Sequence, residues 1–520
     1  MGPNYPGNSL SPKAKRIAPE GPFHIQMTIL GISAGFHDAA ATVLDYDGNI
    51  LFAGHSERYS KQKNDADISP GLISDVLHYG QPEQVAYYER PWRKQLRQWY
   101  SGQGIEWDKL TVRGILQQQL PGVDFDYAAV TSFNHHLSHA AGGFQTSPFD
   151  RATVVVIDAV GEWDTISIWG AEYDSVGRAQ YTKLWSQGYP HSIGLFYSAV
   201  TSRVGLRPLD EEYILMGMAA YGHNNISNRL RYDLVDNEYE IRFKENLHTG
   251  LSQKYLSDYS DFDIAAGAQD LAEDLILNVM VRARNFKFST NLVYAGGVAL
   301  NCSANRRLGS YFGNIWIMPN PGDAGSSLGA AALAYGGRIN WTDAYLGHDI
   351  AGDYPVNQLL DHLLQHGIVG VASGRAEFGP RALGNRSLLA DPRGPEIKDR
   401  VNEIKRRQKF RPFAPVILEE YVDQYFDMPR GFGHSRYMQA VAGCKYPELF
   451  PAIVHHDGTS RVHTVPADDS GIRKLLEKWL VLTGCPLLLN TSLNIRGESM
   501  VNDRADADRF EREYGVRVCS

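Results

Sequence analysis

The sequence predicts an α/β protein of at least two domains, the first assembled from two related halves. From Met27 the chain reads strand, glycine loop, strand: an apolar run to Ile32, a turn through Gly35-Phe36-His37-Asp38, then β-prone stretches at 41–44 and 50–53. A comparable unit returns at Thr153, with an apolar strand at 154–157, the loop Gly161-Glu162-Trp163-Asp164 and a strand at 166–169. Superposing Gly35 on Gly161 also superposes Asp38 on Asp164, the kind of internal similarity that marks a duplicated unit. Two related α/β halves closing over a nucleotide are what a duplicated actin or sugar-kinase-type fold requires. The length of 520 residues is also too great for one hydrophobic core.

Residues 1–26 carry Pro3, Pro6, Pro12, Pro19 and Pro22 and no apolar periodicity. They read as a flexible leader, native or appended, without the apolar core of a secretory signal. Further on, a strand at 292–294 runs into Ala295-Gly296-Gly297, and a strand at 315–318 precedes Pro321-Gly322-Asp323-Ala324-Gly325 and a small-residue helix at 328–335. Glycine turns leading from strand into helix are phosphate-facing geometry. The stretch 341–354 has no periodicity and reads as a connection to a second domain, entered through the helix Val356–His366 and the strand Ile368–Ala372. The expected division is a leader at 1–26, a first domain at 27–340, a linker with entry helix at 341–366 and a second domain at 367–520.

Composition excludes several classes. Hydrophobic content of 43% and charged content of 21% are those of an ordinary globular protein. The 51 Lys and Arg against 59 Asp and Glu give a net charge of −8, which disfavours a large face gripping nucleic acid non-specifically. Cys302, Cys444, Cys485 and Cys519 form no Cys-x-x-Cys pair, so neither a disulfide framework nor a thiolate zinc site is indicated and a cytoplasmic location fits. No apolar run is long enough to cross a bilayer.

The chemistry-bearing residues fall into two groups. In the first domain His135 and His139 stand at i and i+4, so on a helix both imidazoles leave one face and converge on one metal ion, or else decorate the surface. Asp158, at a strand end, and Asp323, in a glycine turn, are candidate partners; a mixed set suits Fe²⁺, Mn²⁺ or Zn²⁺ without choosing among them. His37, beside Asp38, is placed to accept a proton from an alcohol, or to bond backbone as a turn histidine. Glu57, Arg58 and Lys61 line the same mouth or form a solvated rim.

The second group is cationic. Between Gly374 and Arg393 the chain interleaves Arg375, Arg381, Arg386 and Arg393 with Gly374, Gly379 and Gly384. Guanidinium forks match phosphate or carboxylate oxygens, and glycines let backbone N–H groups approach the same anion. Lys405, Arg407 and Arg411 lie in a second run, before an apolar strand at 416–418. A strand at 487–489 opens into Asn490-Thr491-Ser492-Leu493-Asn494. These residues either gather into one polyanion pocket or form a solvated basic loop. A separate run, Arg90, Arg93, Lys94 and Arg97 with Trp92 and Trp99, forms either a solvated helix face or a local groove for nucleic acid.

These motifs resemble those of the ATP-dependent O-carbamoyltransferases of antibiotic, nodulation-factor and cephalosporin biosynthesis. The likeness rests on Gly35–Ala40, His135–Ala140, Asp158–Glu162, Tyr213–Gly222, the turns at Gly296 and Gly322, the arginine segment, Phe410–Pro415, His456–Thr459 and Asn490–Asn494, in family order from about Met27 to Val501. It implies a first domain similar to the tRNA threonylcarbamoyl transferase, of actin-like fold, and a YrdC-like α/β second domain. The second would form carbamoyl-adenylate from carbamoyl phosphate and ATP with Mg²⁺, and the first would transfer the carbamoyl group to an alcohol.

Carried over, His135, His139, Asp158 and Asp323 would hold a divalent metal, Fe²⁺ foremost, and His37, with Asp38 and Lys61, would serve the transfer. Gly161, Glu162, Gly296, Gly297, Asn301 and Gly322 would contact a nucleotide in the transfer domain. Arg375, Arg381, Arg386, Lys405, Arg407, Arg411, Asn490, Ser492 and Asn494 would take carbamoyl phosphate and ATP. The acceptor is a natural-product alcohol, or a hydroxymethylated pyrimidine in a nucleotide or DNA; no membrane is involved, and a homodimer is one expected assembly. Beyond Val501 the chain reads as lacking the closing helix usual in the family. Competing readings are a tRNA threonylcarbamoyl transferase, which the second domain and the −8 charge disfavour, and a non-catalytic nucleotide-binding module.

Overall fold

The computed structural model describes residues 28–520; the leader expected at 1–26 lies outside the described residues. The duplication is visible in strand order. In the first half Ile50–His55, Ala40–Asp45, Thr28–Ser33, Gln84–Tyr87 and Val130–Ser132 lie side by side. In the second half the order is Ala179–Gly188, Asp164–Tyr173, Arg151–Gly161, Asn291–Ala295 and Asn314–Trp316. Numbered within its half, each sheet runs third, second, first, fourth, fifth. The first strand pairs antiparallel with the second and parallel with the fourth in both halves. Thr28–Ser33 is buried along its length, as expected of a central strand covered on both faces.

Two helices are exchanged between the halves. Helix His135–Gln145, which follows the first sheet, packs on the second: a Cβ at Gly143 would lie 2.6 Å from Val293 Cγ1. Helix Ser326–Tyr335, which follows the second sheet, packs on the first, where a Cβ at Gly31 would lie 2.0 Å from Ser327 O. The helices also touch each other, because a Cβ at Gly329 would lie 1.9 Å from Ser138 O. Their small residues are therefore a packing requirement, and the exchange brings the starts of both helices into one cleft.

The second domain is a six-stranded sheet ordered His463–Val465, Ala414–Leu418, Leu487–Ser492, Arg386–Ala390, Ile368–Ala372, Val518–Cys519. Two expectations change here. The stretch read as a linker contains the strand Tyr345–Ile350, paired with Gly374–Glu377, and helix Val356–His366 contributes Leu359, Leu360 and Leu363 to the second-domain core. The end of the chain does form a helix, Arg504–Tyr514, with a capping box between Asp503 and Asp506; its Ala507 and Phe510 join the same core. Its buried stripe is narrow, Asp506, Ala507 and Phe510, and the rest of the helix is polar.

The domains are clamped together by side chains. Lys61 pairs with Asp506, Arg58 donates to Gly379 O at 2.8 Å, and Arg375 donates to Leu51 O at 2.7 Å. Replacing Gly329 by Ala should force the exchanged helices apart and cost about 1–3 kcal/mol. Thermal melting of the variant checks this; an unchanged midpoint would refute the close helix contact.

Candidate active site

The cleft between the exchanged helices holds a buried cage. His135 Nε2 lies 3.1 Å from Asp158 Oδ2 and 3.5 Å from Asp323 Oδ1. His139 Nε2 lies 3.4 Å and 3.2 Å from the same two oxygens, and the two imidazole nitrogens are 3.1 Å apart. All four donor atoms fall within 4.8 Å of one another. The structure thus brings together the four residues expected to bind metal.

Neighbouring groups fix which imidazole nitrogens face inward. Asn134 caps the helix, its side chain accepting from Leu137 N, and so starts the helix at His135. Glu89 Oε2 accepts from His135 Nδ1 at 3.2 Å, and Lys94 donates to Oε1 of the same carboxylate at 3.1 Å. Ser326 Oγ lies 3.1 Å from His139 Nδ1. With Nδ1 bonded outward, each Nε2 faces the centre and can ligate a cation that displaces its proton, the arrangement of metal-ligating histidines oriented by an outer partner. Burial would depress His135, yet Asp323 and then Asp158 hold its pKa well up. Burial would raise Asp323, but His135 and His37 keep it well below the usual carboxylate range. Two nitrogens and two oxygens crowded in a dry site fit a divalent cation of the Fe²⁺, Mn²⁺ or Zn²⁺ type.

Glycines make room for the cage. A Cβ at Gly161 would strike the His135 ring at 2.1 Å, and one at Gly296, where φ is +88°, would lie 2.2 Å from Ile157 O. Gly297 N donates to Asp158 Oδ1 at 3.3 Å, and a Cβ at Gly322 would lie 3.9 Å from Gly297 Cα. Two residues expected to bind nucleotide have other work. Glu162 accepts from Arg90 N, His135 N and Asn134 Nδ2, so it holds the helix start. Asn301 exchanges hydrogen bonds with Gln269 and caps Ala304 N.

His37 stands at the rim, half-exposed, with Nε2 3.4 Å from Asp323 Oδ2 and Nδ1 2.9 Å from Asp38 Oδ2. Burial lowers its pKa, but Asp323 and then Asp38 outweigh that and raise it to about 9. A cation neutralising Asp323 would remove the chief cause of that rise. Lys61 is not at this mouth: its ammonium is committed to Asp506 and to Arg58 O.

In the second domain the arginines divide by role. Arg386 is fully buried and donates to the carbonyls of Asn502, Ser373, Gly374, Asn385 and His348 at 2.9–3.1 Å. Arg375 donates to Gly347, Leu51 and Leu346 carbonyls. Both are backbone clamps, not the phosphate ligands expected from sequence. Lys405 is likewise consumed, bonding Ser492 and Asn494 through their carbonyls and side chains. Asn490, buried, donates to Ala382 O.

What remains is a cationic cluster. Burial first, then mutual repulsion, depresses Arg407 (beside Arg411 and Arg461) and Arg381, the latter to about 9 beside Arg461. Arg411 is depressed by burial and lies 4.8 Å from the Tyr213 ring of the first domain. No carboxylate figures among the causes at these three arginines. Arg461, in strand Thr459–Arg461, has a buried Nε without a partner. Sequence reasoning missed it, although it closely follows the His456–Thr459 motif. Arg381 also donates to Leu300 O at 3.3 Å, and a cleft lined by Ala299, Leu300, Pro321, Arg381 and Met438 lies there. The basic run at Arg90–Arg97 is split: Lys94 and Arg97 are buried beneath the helix Pro91–Tyr100, and Trp92 and Trp99 face solvent.

Comparison with known proteins agrees with this two-part layout. Residues 103–332 match the family described as Carbamoyltransferase N-terminus, and residues 360–519 match Carbamoyltransferase C-terminus. The chain is 33% identical to the uncharacterized protein sll1178 of Synechocystis sp., over 92% of this chain and 93% of that one. It is 31% identical to nodulation protein NolNO of Sinorhizobium fredii (91% and 76%) and 32% identical to nodulation protein NolO of Bradyrhizobium diazoefficiens (72% and 75%). Among the described residues no helix is long and apolar enough to cross a membrane.

Two outcomes are expected. Glu89→Gln should weaken divalent-metal binding roughly 10–100-fold, read by equilibrium dialysis and elemental analysis; unchanged affinity would remove Glu89 from the cage. Arg386→Met should lower the melting temperature sharply by removing five hydrogen bonds to buried backbone carbonyls. Arg407→Met should melt at or above the wild-type temperature, since it relieves like-charge crowding. Equal melting of both variants would undo the division of roles.

Proposed function

The chain belongs to the carbamoyltransferase family, and from that premise we propose that it activates carbamoyl phosphate with ATP in its second domain and carbamoylates an alcohol in its first. The observation that carries this reading is the pairing of a four-ligand cation cage with a cluster of arginines that, among the described residues, makes no ion pair with a carboxylate. Arg381, Arg407, Arg411 and Arg461 supply guanidinium forks for the phosphate oxygens of both substrates. Polyanion binding offsets the burial and then the like-charge repulsion that depress Arg381, Arg407 and Arg411.

Carbamate is a weak acyl donor because its nitrogen feeds electrons into the carbonyl. Water first splits the phosphate anhydride of carbamoyl phosphate, releasing orthophosphate. The freed carbamate oxygen then attacks the α-phosphorus of ATP as pyrophosphate departs, which joins carbamate to AMP as a mixed anhydride with a good leaving group. Such an anhydride is lost to water unless the site is enclosed. Arg381 supports a short internal route: it reaches Leu300 O, at the end of the turn Gly297–Leu300, whose first N–H holds Asp158.

In the first domain His135, His139, Asp158 and Asp323 would hold the divalent metal, which when bound supplies positive charge for the adenylate phosphate. His37 takes the proton of the acceptor hydroxyl as its oxygen attacks the carbamoyl carbon and AMP departs. Asp38 bonds Nδ1 and so presents Nε2 to the cleft.

His37→Ala should slow carbamoyl transfer by about 10²–10⁴-fold while carbamoyl-phosphate-dependent pyrophosphate release from ATP continues. Mass spectrometry of the acceptor and a pyrophosphate assay measure the two halves separately. Joint loss of both would remove His37 from the role of base.

A further inference from the structure

Helix Pro91–Tyr100 lies with its polar side inward. Lys94, Gln95 and Arg97 are buried, whereas Trp92, Leu96, Trp99 and Tyr100 are 55%, 46%, 61% and 68% exposed. Their spacing puts these four side chains on one face of the helix. The metal cage dictates this orientation. Lys94 Nζ bonds both oxygens of Glu89, the carboxylate that holds His135, and Gln95 Oε1 accepts from Glu106 N at 2.8 Å. Rotating the helix to bury its apolar stripe would withdraw Lys94 from Glu89. The inner face is committed to the cage, but nothing in the cage requires the outer face to be apolar. A helix face that merely meets water has no use for two tryptophans, a leucine and a tyrosine in register.

The stripe is large enough to hold a partner. The Gln95 bond folds the turn Trp107–Lys109 back beside the helix and brings Trp107, 76% exposed, to its flank. A fully buried aromatic side chain covers roughly 150–250 Å², so the exposed parts of Trp92, Trp99, Tyr100 and Trp107 offer on the order of 500 Å². That is more than half of the roughly 800 Å² that each partner contributes to a stable interface.

Charge at the two ends of the stripe says what covers it. The first turn of the helix carries Arg93 and Lys94 and no acid, and Arg90 stands exposed at its N-cap. Cations there oppose the helix dipole, whose N-terminus is its positive end. Arg93 and Lys94 are matched by Glu162 and Glu89, but among the described residues Arg90 makes no ion pair. Beyond the other end of the helix come Glu106 and Asp108, both exposed. A second copy laid antiparallel across the stripe sets its negative helix end and the acidic turn after it toward Arg90. A twofold axis repeats that match at the opposite end. A lipid surface would favour a basic border throughout, which the acidic end and the net charge of −8 oppose.

We propose that this stripe is the interface of a homodimer, in which two copies pack helix Pro91–Tyr100 antiparallel about a twofold axis. The interface forms at the rim of the first-domain cleft: Lys94 Nζ lies 3.7 Å over the ring of Phe36, the neighbour of His37, and Tyr100 meets Trp163 at 5.6 Å.

Sedimentation equilibrium of the full chain tests this. The wild type should dimerise with a Kd on the order of 1 µM or tighter. Leu96→Glu and Trp99→Glu should each weaken the dimer at least about 30-fold, and their surface positions should leave the melting temperature of the monomer unchanged. Arg90→Glu should weaken it several-fold at low salt, with the difference fading as salt is raised. A chain that stays monomeric at high micromolar concentration overturns the inference, as does a dimer that survives both Leu96→Glu and Trp99→Glu. Dimerisation untouched by Arg90→Glu at low salt overturns the antiparallel arrangement. Co-sedimentation of a monomeric wild type with phosphatidylserine vesicles, lost in Trp99→Glu, would assign the stripe to a lipid surface and overturn the homodimer.

Discussion

Two imidazole nitrogens 3.1 Å apart, wedged between two carboxylates, set the terms for the first domain. Their outer nitrogens are bonded to Glu89 and Ser326, so both inner nitrogens converge on one buried point. Four electron-rich atoms around a dry centre repel one another unless a cation sits among them. The backbone around the cage follows from this. Gly161 exists because any side chain there would occupy the His135 ring, and Gly329 because the helix delivering Asp323 must touch the helix delivering the histidines. Glu162 adopts a positive φ of 48° to aim its carboxylate at the first turn of that helix, a strain tolerated because the cage depends on where the helix starts.

The second domain poses the opposite electrostatic problem. Arg381, Arg407 and Arg411 crowd beside Arg461, and among the described residues no carboxylate pairs with them, so the pocket works against its own fold. Tertiary bonds hold it open: Asn402 and Pro412 O grip Arg407, and Tyr213 from the other domain backs Arg411. A site of this kind is preorganised for a polyanion and gains most when one arrives. Local destabilisation at a functional site, offset by clamps elsewhere, is the pattern expected when binding and folding make competing demands. Here the clamps are Arg386 and Arg375, each spending its fork on backbone carbonyls.

That contrast explains what was legible in the sequence. The metal ligands could be read because their positions are fixed by local rules: an i, i+4 histidine pair on a helix, an aspartate at the end of an apolar strand, and another in a glycine turn. The repeat was legible from Gly35 and Gly161 because glycine loops mark the same joint in both halves. Arginine roles were not legible. A guanidinium fits carbonyl oxygens as well as phosphate oxygens, and only the tertiary fold decides that Arg386 meets five carbonyls whereas Arg461 meets other arginines. Glu89 went unnoticed for the same reason, being an isolated acid before a basic helix. The strand Tyr345–Ile350 was hidden because its pairing partner, Gly374–Glu377, lies in the segment read as an anion loop.

The clamps and the pockets belong to one argument about where an unstable intermediate would go. Lys61, Arg58 and Arg375 tie the domains at separate points, which opposes a hinge motion that would admit water between them. Arg381 then spans from the arginine cluster to the turn that carries Asp158, so the two pockets share a border of a few residues. Under the proposed chemistry a mixed anhydride formed against the arginines has its next stop one side chain away. A rigid junction serves this better than a mobile one, because a carbamoyl group that leaves the enclosure is lost to hydrolysis faster than it finds an alcohol.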